Sequence, residues 1–164
     1  MIRRMLAATA ISLFAFVVPA AAQGWLYEEE ENPFTGKKDA WASITATKPT
    51  IGDQMVQPFM RLFVACLEGD LDYSIEAGAY IGNSPTPVRY RFDEAEPVSE
   101  RWVPSNDGTA VFLPRTSKDF RNGISDADMF AIEVTDFRGV SYLSVFEGLS
   151  ENRAVLDQVS AACQ

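Results

Sequence analysis

The chain has 164 residues, with 23 acidic and 14 basic side chains, no histidine and a formal net charge of −9. A surface of this sign repels nucleic-acid phosphates and anionic lipid head groups, which argues against DNA, RNA and membrane-surface binding. Without histidine the chain has no Ser-His-Asp or Cys-His nucleophile system, no histidine metal site and no histidine pH switch.

Residues 1–22 have the pattern of a signal peptide. Two arginines stand near the start, Met5–Val18 is an uncharged apolar run, and alanines at 20–22 follow Pro19, which fits the small-residue cleavage rule. The apolar run is shorter than the roughly 20 residues of a membrane-spanning helix, so a cleaved leader is favoured over a membrane anchor. We therefore expect export of the mature chain.

Residues 23–39 are predicted to form an irregular N-terminal arm. The consecutive glutamates of Glu28–Glu31 repel one another, and Asn32-Pro33 and Thr35-Gly36 are turn signals. Trp25 and Phe34 are candidates to pin this arm to the body of the protein. We interpret the glutamates as a solvated face, since their spacing does not supply the ligands of a calcium loop.

From residue 40 onward, short segments alternate apolar and polar side chains, which is typical of β-strands with one wet face. Phe59–Leu67 is almost wholly apolar, so we expect a central strand that is buried on both faces. Glu68-Gly69 and Arg138-Gly139 mark hairpin turns. The predicted strands are Ala40–Thr47, Phe59–Leu67, Asp70–Ala77, Val88–Asp93, Arg101–Pro104, Thr109–Pro114, Met129–Phe137 and Val140–Phe146.

Two segments have helical character: Ser117–Gly123, and the C-terminus after the N-cap candidate Ser150, where apolar side chains recur at four-residue steps as far as Cys163. The even cysteine count in an exported chain favours a Cys66–Cys163 disulfide, with two buried free thiols as the alternative. We predict a mainly β (α+β) fold, a single domain over 40–164. About eight strands form an antiparallel β-sandwich or strongly bent sheet with the C-terminal helix packed on it.

The stretch Val88–Trp102 carries the candidate binding site. Alternation places Arg89, Arg91 and Asp93 on one face of a strand, and we expect Arg101 and Glu100 on the neighbouring strand if the two strands pair. One interpretation is a solvated face with cross-strand ion pairs; the other is a basic spot that receives a partner's carboxylate through bidentate arginines. Trp102 is either a core residue or an interface anchor.

Short motifs along most of the mature chain resemble, in their order, those of the TagO/VasI family of exported proteins linked to type VI secretion. The similar residues are Val88–Asp93, Pro97, Arg101-Trp102, Ser105, Asp107-Gly108, Ala110 and Phe112, with Leu62, Cys66 and Gly69, Ala79–Gly82, Phe146–Leu149 and Cys163. The N-terminal arm departs from the family pattern, since Asn32-Pro33 and Gly36 stand where an acidic arrangement is expected. The resemblance implies a periplasmic protein without known catalysis.

These observations lead to a non-enzymatic interaction module with a protein partner in the cell envelope, and to no cofactor or metal. An alternative is an inhibitor of an exported, lysozyme-like enzyme, because an acidic domain suits a basic target. A third hypothesis is a cell-wall hydrolase that uses a pair of carboxylates. Glycine-rich phosphate loops and cysteine pairs at metal-ligand spacing are absent from the sequence.

Overall fold

The computed structural model of the protein describes residues 24–47, 50–51, 56–57 and 60–164, so the predicted signal peptide lies outside the described residues. The helices are α1 (Lys118–Asp126) and α2 (Ala154–Ala162). The strands are β1 (Leu26–Glu31), β2 (Lys38–Thr45), β3 (Thr50–Ile51), β4 (Val56–Gln57), β5 (Arg61–Leu67), β6 (Asp70–Glu76), β7 (Thr86–Phe92), β8 (Val98–Pro104), β9 (Ala110–Phe112), β10 (Met129–Thr135) and β11 (Ser141–Glu147).

Every strand pairing in this part of the chain is antiparallel, in the order β1-β2-β5-β6-β9-β8-β7-β10-β11-β3-β4. Strand β8 belongs to both halves of this arrangement: its first residues pair with β7, whereas Val103 and Pro104 pair with β9. The sheet folds over at this strand, and its two halves enclose one core. The predicted mainly β (α+β) fold is confirmed.

Alternation in each strand fills the core from both halves. In β7 the buried Val88 and Tyr90 alternate with exposed Arg89 and Arg91, as the period of an extended chain requires. Phe120 of α1 lies at the centre, its ring centroid 5.2 Å from that of Tyr90. The rings that pack there are Tyr73, Tyr90, Phe92, Trp102, Phe120, Phe130 and Phe146.

The prediction that Phe59–Leu67 is buried on both faces was wrong for the part that the structure describes. Strand β5 does lie between β2 and β6, but its side chains alternate: Leu62, Val64 and Cys66 are buried, while Phe63 and Ala65 are only half-buried. The reason is that α2 packs on the side of this sheet that already faces the core. The other side is left without a covering layer among the described residues.

The N-terminal arm is not irregular as predicted, because β1 pairs with β2 along its whole length. Repulsion among the glutamates does not prevent this, since the strand lies at an edge and its carboxylates are exposed to solvent. Lys38 also pairs with Glu29 at 2.9 Å. Trp25 is buried and donates to the carbonyl of Leu149, so it does pin the arm, whereas Phe34 is 95% exposed.

The Cys66–Cys163 disulfide is confirmed, with its Cα atoms 5.6 Å apart. It fastens the end of α2 to the central strand β5. Helix α2 begins at Ala154 rather than directly after Ser150, whose hydroxyl bonds to Asp128 instead of capping the helix. Helix α1 continues past Gly123, where it was predicted to end. The ring of Phe92 packs against the glycine there.

Candidate functional site

The strand register brings the predicted arginines onto one surface. Arg89 of β7 stands opposite Ser99 of β8 and Glu133 of β10, and Arg101 of β8 stands opposite Pro87. Because directly opposed residues of an antiparallel pair share a face, Arg89, Arg91 and Arg101 all lie on the outer side of this half of the sheet. We call the surface formed by these three residues the arginine face.

The three guanidinium groups have different partners. Arg89 forms an exposed ion pair with Glu133 at 3.0 Å. Arg101 donates to the carbonyl oxygen of Pro85 at 2.8 Å. Arg91 is exposed, and its guanidinium has no hydrogen bond or ion pair with any residue that the structure describes. Arg91 is therefore the cation of this face that is free to bind a group from outside.

A shallow groove of about 260 Å³ runs beside these side chains. Its walls include Arg89, Arg91, Pro97, Glu133 and Leu143, so two cations and one carboxylate line a largely apolar floor. A guanidinium group presents two parallel N–H donors, a geometry that matches a carboxylate. The groove can thus bind an acidic side chain or a chain terminus and bury its apolar neighbours.

Asp93 does not belong to the arginine face, contrary to the prediction. It follows the end of β7 with a φ of 47°, which breaks the alternation of the strand. Its carboxylate accepts hydrogen bonds from the backbone N–H groups of Asp128 and Met129. Asp93 therefore holds the start of β10 in place and has a structural role.

Trp102 is fully buried, so the core interpretation is correct and the interface-anchor interpretation is wrong. Its ring packs edge-on against Phe120 at 5.2 Å between centroids. The parity of β8 explains this result: with Arg101 on the outer side, the next residue must point into the core.

Glu100 was predicted to lie beside Arg101 on the charged surface, but it is half-buried and points to the opposite side of β8, because adjacent residues of a strand alternate. It points inward from β8, and its carboxylate accepts from the Ser117 hydroxyl at 2.5 Å and the Trp102 indole at 3.2 Å. The Tyr90 hydroxyl lies 3.5 Å away. Burial, and then the charge of Glu100, raise the pKa of Tyr90. This network anchors the start of α1 and keeps the Tyr90 phenol neutral.

Asp136 was missed, although its place in the sequence Asp136-Phe137-Arg138-Gly139 is typical of a side chain that caps a turn. Its side chain is fully buried and accepts from the backbone of Arg138 and Val140, from the Arg138 guanidinium, and from the Tyr142 hydroxyl. Burial raises the pKa of Asp136, but these hydrogen bonds outweigh it and hold the pKa below its ordinary value.

Within the described ranges, no helix is long and apolar enough to cross a membrane. The same residues contain no group of three or more Cys, Asp or Glu side chains that is placed to hold a metal ion.

The chain matches no protein-family model, and no curated protein matches it significantly. Among solved structures it is similar to the crystal structure of invasion associated protein B from Bartonella henselae. The TM-score is 0.52 at 16% sequence identity, with 84% of this chain and 92% of the other covered. At this identity the likeness concerns the fold.

Proposed function

We propose that the protein is an exported, non-catalytic interaction module of the cell envelope, and that its arginine face captures a protein partner through a carboxylate. The observation that carries this proposal is Arg91, an exposed cation without a partner in the described structure, beside a groove with an apolar floor. In a chain with a net charge of −9, such a basic spot is a local exception that selects for an acidic ligand group.

Two observations support export. Residues 1–22 have a leader pattern, and the Cys66–Cys163 disulfide suits an oxidising compartment such as the periplasm. The similar solved structure belongs to a protein named as invasion associated, which supports an accessory role. The resemblance to TagO/VasI proteins adds the finer proposal that the accessory role belongs to type VI secretion.

The test is photocross-linking in living cells of the native organism. A photoreactive phenylalanine replaces Leu143, which is 44% exposed and lines the groove. We expect a cross-link to one envelope protein, reduced at least about tenfold by Arg91→Glu, because charge reversal repels the acidic ligand group. Lys118→Glu is the matched control, since it reverses an exposed charge outside the face and should leave the cross-link unchanged.

Two results would reject the proposal. One is a Leu143 cross-link that survives Arg91→Glu at full intensity while the variant keeps its fold by circular dichroism. The other is a cross-link no stronger than that from a probe at the exposed turn residue Asn106. Incubation of the purified protein with peptidoglycan, followed by mass analysis, tests the non-catalytic part: released fragments would contradict it.

A further inference from the structure

The outer side of the other half of the sheet has a different chemistry. The register of β1, β2, β5, β6, β9 and β8 aligns one residue from each strand into a row that crosses the whole half-sheet: Leu26, Ser43, Phe63, Ser74, Phe112 and Val103. Apolar side chains alternate with two serines in this row. We call this surface, with the residues next to the row, the acidic face.

The apolar side chains of this face do not contribute to the core. Leu26 is 66% exposed, Val103 56% and Phe112 41%. Phe63 and Trp41 are half-buried, yet neither packs against the buried cluster that fills the interior. The solvent side of an antiparallel sheet is normally polar, and a contiguous apolar patch with a polar rim typically marks an interaction site.

Carboxylates form the rim. The rows beside the apolar one carry Glu28, Glu30, Asp39, Asp70, Asp72 and Glu76 on the same outer side. These carboxylates outnumber the two cations that the structure describes on this surface, Arg61 and Arg115. The Arg61 guanidinium lies 5.6 Å from the centre of the Phe63 ring, and Arg115 forms an ion pair with Asp70. The face therefore combines an apolar centre with a negative periphery.

We infer that the acidic face is a second docking surface, distinct from the arginine face, and that its occupant is a basic protein with an apolar patch ringed by lysine or arginine. Burial of the row supplies the affinity, and the carboxylates steer and orient the partner. A second copy of this chain does not fit, because it would set carboxylate against carboxylate across the contact. A small basic exported enzyme has the required chemistry.

The experiment again uses the full chain in its native cells, with the photoreactive residue at Ser74, in the middle of the row. We expect cross-linking to a basic protein. Phe112→Ser, which shortens the apolar row, and Asp72→Lys, which reverses a rim charge, should each weaken the purified complex about tenfold or more. Raising the salt from about 0.05 M to about 0.5 M should weaken the wild-type complex further than the Asp72→Lys complex.

Arg91→Glu separates this inference from the proposed function, because it should leave the Ser74 cross-link intact. Loss of that cross-link in Arg91→Glu would mean one shared site and would overturn a separate surface. Cross-linking mainly to a second copy of the chain or to an acidic protein would also overturn it, as would a signal no stronger than that from a probe at Asn122, an exposed residue of α1 outside both faces. An Asp72→Lys complex as tight as wild type contradicts the basic partner.

Discussion

The arginine face and the acidic face are built by the same rule, alternation along antiparallel strands, yet they offer opposite chemistry. On the arginine face, cations occupy the centre and border the groove with Pro97 and Leu143, while their cross-strand neighbours include the small residues Ser99 and Ala131. On the acidic face, aromatic and aliphatic side chains occupy the centre and the charge lies at the rim. Alternation is the same on both faces. The chemistry of each face is therefore determined by which outward-pointing side chains the strand register places next to one another.

The two halves of the sheet are also stabilised by different interactions. Removal of the disulfide should change the free energy of unfolding more than any other substitution considered. The bridge closes a sequence separation of 97 residues and ties α2 to β5 under the acidic face. In Cys66→Ala/Cys163→Ala we expect a loss of about 4 kcal/mol in the free energy of unfolding, from the greater entropy of the unfolded chain. Urea titration measures it.

Hydrogen exchange sharpens this prediction. Amides of β1, β2 and β5 should lose more protection in the double-alanine variant than those of β7, β10 and β11, whose core is the aromatic cluster. Equal loss in both halves would show that the sheet unfolds as one unit and that the comparison does not extend to stability.

Asp136 is the corresponding support under the arginine face, at the β10–β11 turn. Asp136→Asn removes the charge that the Arg138 guanidinium and the Tyr142 hydroxyl bind, and we expect a loss of about 2–3 kcal/mol. Asp126→Asn, at an exposed position in α1, is the control and should change the unfolding free energy little. Thermal or urea denaturation of the three proteins decides this.

The same carboxylate gives a pH dependence whose sign can be worked out. Hydrogen bonds hold the pKa of Asp136 below its unfolded value, so the folded state favours the ionised form. Its contribution is complete above the unfolded value of about 4 and is lost as the pH falls through the lower folded pKa. The stability difference between wild type and Asp136→Asn should therefore stay constant from about pH 5 to 7 and shrink below about pH 4. A difference that grows on acidification contradicts it.

Gly123→Ala tests the aromatic core that both halves share. Alanine normally favours a helix, but a methyl group at this position of α1 would lie 2.2 Å from a ring carbon of Phe92, which stacks on Phe130. We expect a destabilisation of about 1–3 kcal/mol from overpacking, measured by urea unfolding. A gain in stability would mean that the ring moves freely.

The smallest effect concerns the arginine face itself. The exposed Arg89–Glu133 ion pair should contribute about 0.2–1 kcal/mol, since solvent and salt screen it. Arg91→Ala should leave the unfolding free energy unchanged within error, because the Arg91 guanidinium has no partner among the described residues. A double-mutant cycle at 89 and 133 measures the pair. A large loss from Arg91→Ala would instead assign that side chain a structural role.

Much of the fold could be predicted from local patterns. Alternation identified the main strands, and cysteine parity identified the disulfide. Edge strand β1 was not predicted, because its consecutive glutamates were interpreted as a solvated loop. An edge strand that is exposed to solvent can also accommodate such charges. The apolar composition of β5 predicted burial on both sides, but composition does not tell how many layers cover a sheet.

The candidate sites were predictable only in part. The sequence reveals the alternation that puts Arg89 and Arg91 on one face of β7, whereas the pairing and register that add Arg101 came from the structure. The positive φ of Asp93 interrupts the alternation of β7, so its side chain leaves the arginine face. No pattern in the local sequence predicts this φ. The acidic face needs the register of six strands, which brings Leu26 into line with Val103; such long-range alignment has no signal in a single sequence.

Arg101 of the arginine face and Val103 of the acidic face are only two positions apart in β8 and both lie on its outer side, so the two faces adjoin at this strand. A typical protein interface covers about 800 Å² on each partner, so a partner bound to either face would extend over the neighbouring strands. Two partners bound at once would therefore lie side by side over β8, and the size of each partner decides whether both faces can be occupied together.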